Sequence, residues 1–314
     1  MVVNVQEYLK DKQMANVGFI GIGLMGLPMC KQLLNAGTDL RVFNRNKDKC
    51  LPLMELGAKP CDNLQQLTES VDVIMLCVSN TAAVQLVVEQ LMPYLNKGQK
   101  IIDLSSIAPD ATVALAEQVA LKGVTWIDSP VSGGVAGAEA GSLAIMVGGD
   151  EQAVESIKPL LEPLSSAVTY MGPVGAGQTT KICNQMLVSC NVLVMAEVMA
   201  MAKRCGVDAS RIPQALKGGF ADSIPLQITG SRMAIQDFDD VKWHVKTLLK
   251  DLDMANTLAK ECGSAIPMAG LGVEIMRAHA SRGYNEQDPA TFVAMYEEDH
   301  RLNPQSHNLS QGDK

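Results

Sequence analysis

Short apolar runs recur through the first half of the chain, at 17–20, 40–43, 73–78, 100–103, 124–127, 143–147 and 168–171. Each is about one strand long and mostly apolar, 73–78 and 143–147 at every position, as expected of strands buried on both faces. Segments with helical spacing lie between them, such as 24–35, which stops at Gly37. Strands alternating with helices predict an α/β domain, a doubly wound and mostly parallel sheet covered on both faces.

The pattern changes at Gly172. Pro173, Gly175 and Gly177 read as a loop, and from Gln178 to Cys205 there is neither proline nor glycine. A helix of that span is roughly 40 Å long. Helical periodicity then dominates to about Arg301, with Pro213, Pro225, Pro267 and Pro289 at the expected helix starts. The predicted organisation is a polar extension over 1–15, an α/β domain over 16–177, an all-α C-terminal domain over 178–302 and a polar tail over 303–314.

Composition narrows the class. The 314 residues suffice for two domains, and 47% hydrophobic against 19% charged residues suits a folded core. A formal charge of −8 disfavours a nucleic-acid partner. The longest apolar stretch, 182–201, contains Asn184, Gln185, Asn191 and Glu197, so it reads as a buried helix and not a membrane span. Residues 1–14 include Glu7 and Asp11 and no apolar h-region, so no secretory signal is expected and the protein is expected in the cytoplasm. The eight cysteines form no CxxC pair and the four histidines are scattered. No metal site is expected, and the cysteines read as reduced, small hydrophobes.

Gly21-Ile22-Gly23-Leu24-Met25-Gly26 matches G-x-G-x-x-G between a predicted strand and a predicted helix. In that context it is the dinucleotide fingerprint of a Rossmann-type domain: Gly21 for the tight turn, Gly23 for backbone approach to a pyrophosphate, Gly26 for close helix–strand packing. Leu24 and Met25 within the loop, and Val78 at the end of its strand, are assigned to the cofactor with them. An NAD site usually carries an acid after the second strand; here Phe43-Asn44-Arg45 stands there and Asp39 lies too early. Arg45 suits a 2′-phosphate and Asn44 a ribose edge, so NADP(H) is expected in preference to NAD(H).

Two further segments carry candidate chemistry. In Asp128-Ser129-Pro130-Val131-Ser132-Gly133-Gly134, the N–H groups of Ser132, Gly133 and Gly134 and the Ser132 hydroxyl suit a small carboxylate substrate; a plain flexible turn fits the spacing equally well. Lys181 and Asn184, at i and i+3, share a face near the start of the long helix. In a desolvated cleft such a lysine exchanges protons near neutrality, although an ordinary exposed lysine satisfies the spacing better.

These motifs, with Lys250-Asp251-Leu252-Asp253-Met254-Ala255, occur in an order and spacing that closely resemble the β-hydroxyacid dehydrogenase family over residues 16–300. Ile102-Asp103-Leu104-Ser105-Ser106-Ile107-Ala108-Pro109 and Gly218-Gly219-Phe220-Ala221-Asp222-Ser223 are more similar to its tartronate semialdehyde reductase branch, while Phe220 and Asp222 themselves and the continuation Ile224-Pro225-Leu226-Gln227 differ from it. The resemblance implies an oxidoreductase moving a hydride between NADP(H) and a small β-hydroxy acid or its semialdehyde. It implies Lys181 as general acid/base, Asn184 as its substrate-holding neighbour, and Ser132, Gly133 and Gly134 as the carboxylate turn. It also implies Ser105 or Ser106 near the nicotinamide ribose, Lys250 at the nicotinamide end, and a homodimer or homotetramer through the helical domain. The alternative is a catalytically inactive NADP-binding regulatory or scaffold protein, against which the intact Lys181–Asn184 pair speaks.

Overall fold

The structure is a computed structural model that describes residues 16–297; the sequence-read extension 1–15 and the tail 303–314 lie outside the described residues. The chain divides into two compact units that part after Lys181.

Among the described residues, the first unit has nine strands. In chain order these are β1 (Val17–Ile20), β2 (Leu40–Phe43), β3 (Lys59–Pro60), β4 (Val73–Leu76), β5 (Lys100–Asp103), β6 (Thr125–Asp128), β7 (Val131–Ser132), β8 (Leu143–Gly148) and β9 (Ser165–Gly172). They are arranged β3-β2-β1-β4-β5-β6-β8-β7, with β9 paired to β8. The six from β3 to β6 are parallel, β8 is antiparallel to β6 and β7, and β9 is parallel to β8.

The two-residue period of a strand sends alternate side chains to opposite faces, and the buried clusters follow it. Phe19, Val73, Met75 and Ile102 enter one core with Met29 and Leu33 of α1 (Gly26–Asn35) and with Val154 and Ile157. Ile20, Ile74, Leu76 and Ile101 enter the other with Leu67, Val84, Val88, Leu115 and Val119. Beyond the predicted strands, β3 and β7 have two residues each, too short for periodicity to reveal. Pro60 is tolerated because β3 is an edge strand.

The second unit is helical. The long helix, α8 when the intervening helices are counted, spans Ala176–Arg204; it begins two residues before the sequence-read start and crosses the boundary between the units. By length and composition it could cross a membrane, but Val192, Met195, Ala196 and Met199 are buried with Met233, Leu248, Met276 and Phe292. Their spacing is that of one helix face. The helix Val245–Cys262 carries the Lys250 motif and packs against Pro267–His279. Pro267 opens its helix, Pro289 opens a 3₁₀ turn and Pro213 lies in the first turn of Ile212–Leu216. The buried Asp288 carboxylate is paired with Arg232 at 2.7 Å and accepts the Lys242 N–H at 2.9 Å, so neither charge is left uncompensated.

Candidate active site

The C-terminal ends of β1, β4 and β5 lie side by side, and the predicted cofactor residues of the first unit gather there. β1 sits between β2 and β4, where the strand order reverses, the usual place for a nucleotide in such sheets. Gly21 has φ +103°, and a Cβ there would stand 2.2 Å from the Cys77 carbonyl oxygen and 3.0 Å from a Val78 methyl. A Cβ on Gly26 would stand 2.0 Å from the Gly21 carbonyl oxygen. A Cβ on Gly23 meets nothing within 4 Å. The turn is closed against its own strands at the first and third glycines and open at the second, which fits a backbone awaiting a pyrophosphate. Leu24 is fully displayed at this opening, 82% exposed, and Met25 is half-buried against the core.

Asn44 is used differently from the sequence reading. Its Oδ1 accepts the Ile22 N–H at 3.0 Å and its Nδ2 donates to the Asn46 carbonyl at 2.8 Å. The side chain pins the glycine loop to the end of β2. Arg45, the next residue, is exposed at the tip. The two serines also separate: Ser105 is buried with its hydroxyl accepting the Val78 N–H at 3.0 Å, whereas Ser106 is half-buried and the more accessible of the pair.

Ser132 ends β7, opposite Ala144 of β8, and Gly133 and Gly134 follow with φ +135° and +64°. Those positive values permit the turn to fold back into the short helix Gly134–Ala140 and leave both glycines exposed. The second motif converges on β5 and β6 as well. Gln178, in the first turn of α8, donates through Nε2 to the Ser105 carbonyl at 2.8 Å, and its Oε1 accepts the Ile107 N–H at 3.1 Å. Lys181 is three residues further along, half-buried. Within the second unit, Asn184 donates to Gln185 at 2.8 Å, Gln185 donates to Asp251 at 2.5 Å, and Asp251 pairs with Lys250 at 3.2 Å. Two predicted site residues are therefore joined through two the sequence reading passed over.

Asp103 was also passed over. It lies in register with Asp128 on the neighbouring strand, is fully buried, and accepts the Ser105 N–H at 3.0 Å through Oδ1. Oδ2 has no protein partner among the described residues. Burial pushes its carboxyl up to about 7, a smaller push comes from Asp128, and the Ser105 hydrogen bonds oppose both.

Over most of its length the chain is similar to named hydroxy acid dehydrogenases and reductases. A profile of the NAD-binding domain of 6-phosphogluconate dehydrogenase matches residues 16–172. A profile of the NAD-binding region of NADP-dependent 3-hydroxyisobutyrate dehydrogenase matches residues 175–296. The 2-hydroxy-3-oxopropionate reductase of Escherichia coli (strain K12) is 37% identical over 284 residues, 90% of this chain and 97% of that protein. The chain belongs to the β-hydroxyacid dehydrogenase family. Among solved structures, the Mycobacterium tuberculosis 3-hydroxyisobutyrate dehydrogenase with L-serine aligns with a TM-score of 0.82 over 91% of this chain and 100% of that one; at 24% identity it speaks to the fold alone. Psf3 in complex with NADP+ and 2-OPP aligns with a TM-score of 0.80 at 28% identity, over 90% of this chain and 100% of that one. The protein is an NAD(P)-dependent oxidoreductase acting on a CH–OH group, and none of these findings favours the inactive alternative.

Asp103 gives this dehydrogenase a pH-dependent stability. A carboxyl raised in the folded state contributes stability that is present below its ordinary value of 3.8 and lost as the pH rises through about 7. Asp103→Asn should therefore gain on the wild type between pH 5 and pH 8, by on the order of 3 kcal/mol. The subtraction cancels the opposite titration of His279, whose burial holds it at about 4. Parallel denaturant midpoints for the two proteins across that window would refute the assignment.

Proposed function

We propose that the protein reversibly interconverts a small β-hydroxy acid and its semialdehyde with NADP(H), tartronate semialdehyde being the first substrate to test. The observation that carries this reading is the attachment of the Lys181 helix to the nucleotide-binding strand ends through Gln178 and Ser105. The Escherichia coli reductase, the most similar of the relatives named above, supports the choice of acid.

When bound, the nicotinamide supplies or accepts a hydride. Gly21, Gly23, Gly26 and the exposed Leu24 hold the dinucleotide, with Val78, Ser106 and Lys250 toward its reactive end. The Ser132–Gly134 turn offers the Ser132 hydroxyl and successive N–H groups to the substrate carboxylate, which fixes the reacting carbon. Lys181 Nζ stabilises charge growing on the carbonyl oxygen and delivers its proton there; in the oxidative direction the neutral amine takes the hydroxyl proton. Asn184, one helical turn on, holds the same oxygen in line.

The preference for NADP rests on Arg45. No carboxylate sits at the tip of β2, where Asn44 and Arg45 stand, to accept from a 2′-hydroxyl, and an exposed guanidinium suits a 2′-phosphate. The NADP+ held by Psf3 points the same way. The test is a panel of tartronate semialdehyde, succinic semialdehyde, glyoxylate and 3-hydroxyisobutyrate with both cofactors. Turnover should be faster with the phosphorylated cofactor, and Arg45→Asp should move the preference toward NAD(H). Binding of NADPH without oxidation across the whole panel would sink the enzymatic reading; an unchanged preference in Arg45→Asp would place 2′-phosphate recognition elsewhere.

The helical unit is also proposed to mediate a homodimer or homotetramer. Leu187, Val194 and Met201 recur every seven residues along α8 and are 75%, 49% and 63% exposed. Such a stripe suits a second helix of the same kind.

A further inference from the structure

Asp128 opens the segment that leads to the Ser132–Gly134 turn, yet its carboxylate serves the other motif. Oδ1 accepts the Gly175 N–H at 2.8 Å and Oδ2 accepts the Gln178 N–H at 2.9 Å. The Gly177 N–H adds to them. These are donors of the first turn of α8, which no residue of the helix itself can satisfy. The residue just before the helix, Gly175, has φ +92° and no side chain with which to cap it. A carboxylate from the end of β6 supplies the cap, and its negative charge sits favourably at a helix N-terminus.

Two glycines make room for it. A Cβ on Gly148 of β8 would stand 2.6 Å from Asp128 Oδ1, and one on Gly177 would stand 2.8 Å from Oδ2. Asp128 is completely buried. Burial raises its carboxyl, against the pull of the N–H groups. Gln178, held by Asp128 through its backbone, grips the Ser105 carbonyl and the Ile107 N–H through its side chain. Strand β6, strand β8 and the start of α8 thus meet at one carboxylate, and the Gln178 side chain ties the Ser105 loop to them.

We infer that Asp128 is a positioning residue that, with Gln178, fixes where α8 begins and so where Lys181 stands relative to the Ser132–Gly134 turn. The inference rests on the proposed reaction, in which Lys181 moves the proton. Residue by residue a helix advances 1.5 Å and turns 100°, so a first turn that re-forms one residue out of place carries Lys181 off its line. Asparagine is the discriminating replacement. Its carbonyl can accept one N–H, but its amide nitrogen is a donor facing a second donor.

The wild type is first assayed on the substrate panel; if it turns over nothing, it is the functional reading that fails. With an active wild type, Asp128→Asn and Gln178→Ala are compared for folding by circular dichroism, for NADPH affinity by calorimetry, and for kcat, KM and the pH profile of kcat. The expected result is a kcat lower by about 10²-fold in Asp128→Asn, with NADPH affinity and fold retained and the Lys181 limb of the profile displaced. Gln178→Ala should shift the same limb by less. Asp128→Glu, which keeps the acceptor, should recover part of kcat. Hydrogen exchange should show the Gly175 and Gln178 amides protected in the wild type and released in Asp128→Asn. A folded Asp128→Asn with wild-type kcat and profile would overturn the proposal. So would failure of both variants to fold, which would leave Asp128 a purely structural role, or unprotected Gly175 and Gln178 amides in the wild type.

Discussion

Replacing Lys181 by alanine is expected to lower kcat by about 10³-fold while NADPH binding survives. The size follows from two effects combined in one group. Positioned proton transfer contributes roughly 10²–10⁴-fold, and loss of a single donor to a developing oxyanion costs about 10²–10³-fold; a shared donor does not collect both in full. The NADPH site should survive because Lys181 lies in the second turn of α8, beyond the Gly175–Gln178 segment that is bonded to β6 and the Ser105 loop. Arginine separates the two effects. It keeps the positive charge but holds its proton at any usable pH. Lys181→Arg should therefore retain more activity in reduction, where charge stabilisation counts, than in oxidation, where a neutral base is required. Calorimetry with NADPH and steady-state rates in both directions read these outcomes. A Lys181→Ala enzyme within tenfold of wild type would remove the lysine from the chemistry.

The fold was legible because both periods in the sequence are strong. Seven apolar runs between 17 and 171 fall on observed strands, and the uninterrupted stretch from Gln178 to Cys205 falls on the helix Ala176–Arg204 except for its last residue. What was not legible is short or works through space. β3 and β7 have two residues each, and β7 lies inside a stretch that reads as a turn. Its strand character comes from pairing with β8, not from its own pattern. The same holds for the site. The glycine loop announces itself because its spacing is local. Asn44 could be placed at the end of β2, but not its hydrogen bond to Ile22, 22 residues away. Asp128 and Gln178 are 50 residues apart, and only the fold reveals that the carboxylate of one motif caps the helix of the other. A polar residue closing an otherwise buried strand was the one signal available, and both Asp103 and Asp128 carry it.

The three glycines of the first turn should fail in different ways, and the contrast between Gly23 and Gly26 separates packing from binding. Gly26→Ala places a methyl 2.0 Å from the Gly21 carbonyl oxygen and 3.2 Å from the Phe19 ring. Alanine is the better helix former by about 1 kcal/mol, but overpacking against fixed atoms costs roughly 1–3 kcal/mol or more, and here the obstructing atom is backbone, which cannot rotate aside. The ligand-free protein should melt several degrees lower. Gly23→Ala meets nothing within 4 Å, so the ligand-free protein should melt with the wild type. Its defect should appear only with cofactor. A dinucleotide at a hundred times its Kd stabilises the wild type by about 2.7 kcal/mol, roughly 4 °C in Tm for a chain of 314 residues. Gly23→Ala should lose most of that rise, because its methyl occupies the space the pyrophosphate needs. Gly26→Ala should start lower and keep part of it. Thermal scans of the three proteins with and without NADPH make the comparison. A normal cofactor-dependent rise in Gly23→Ala would mean that the phosphates do not approach at this glycine.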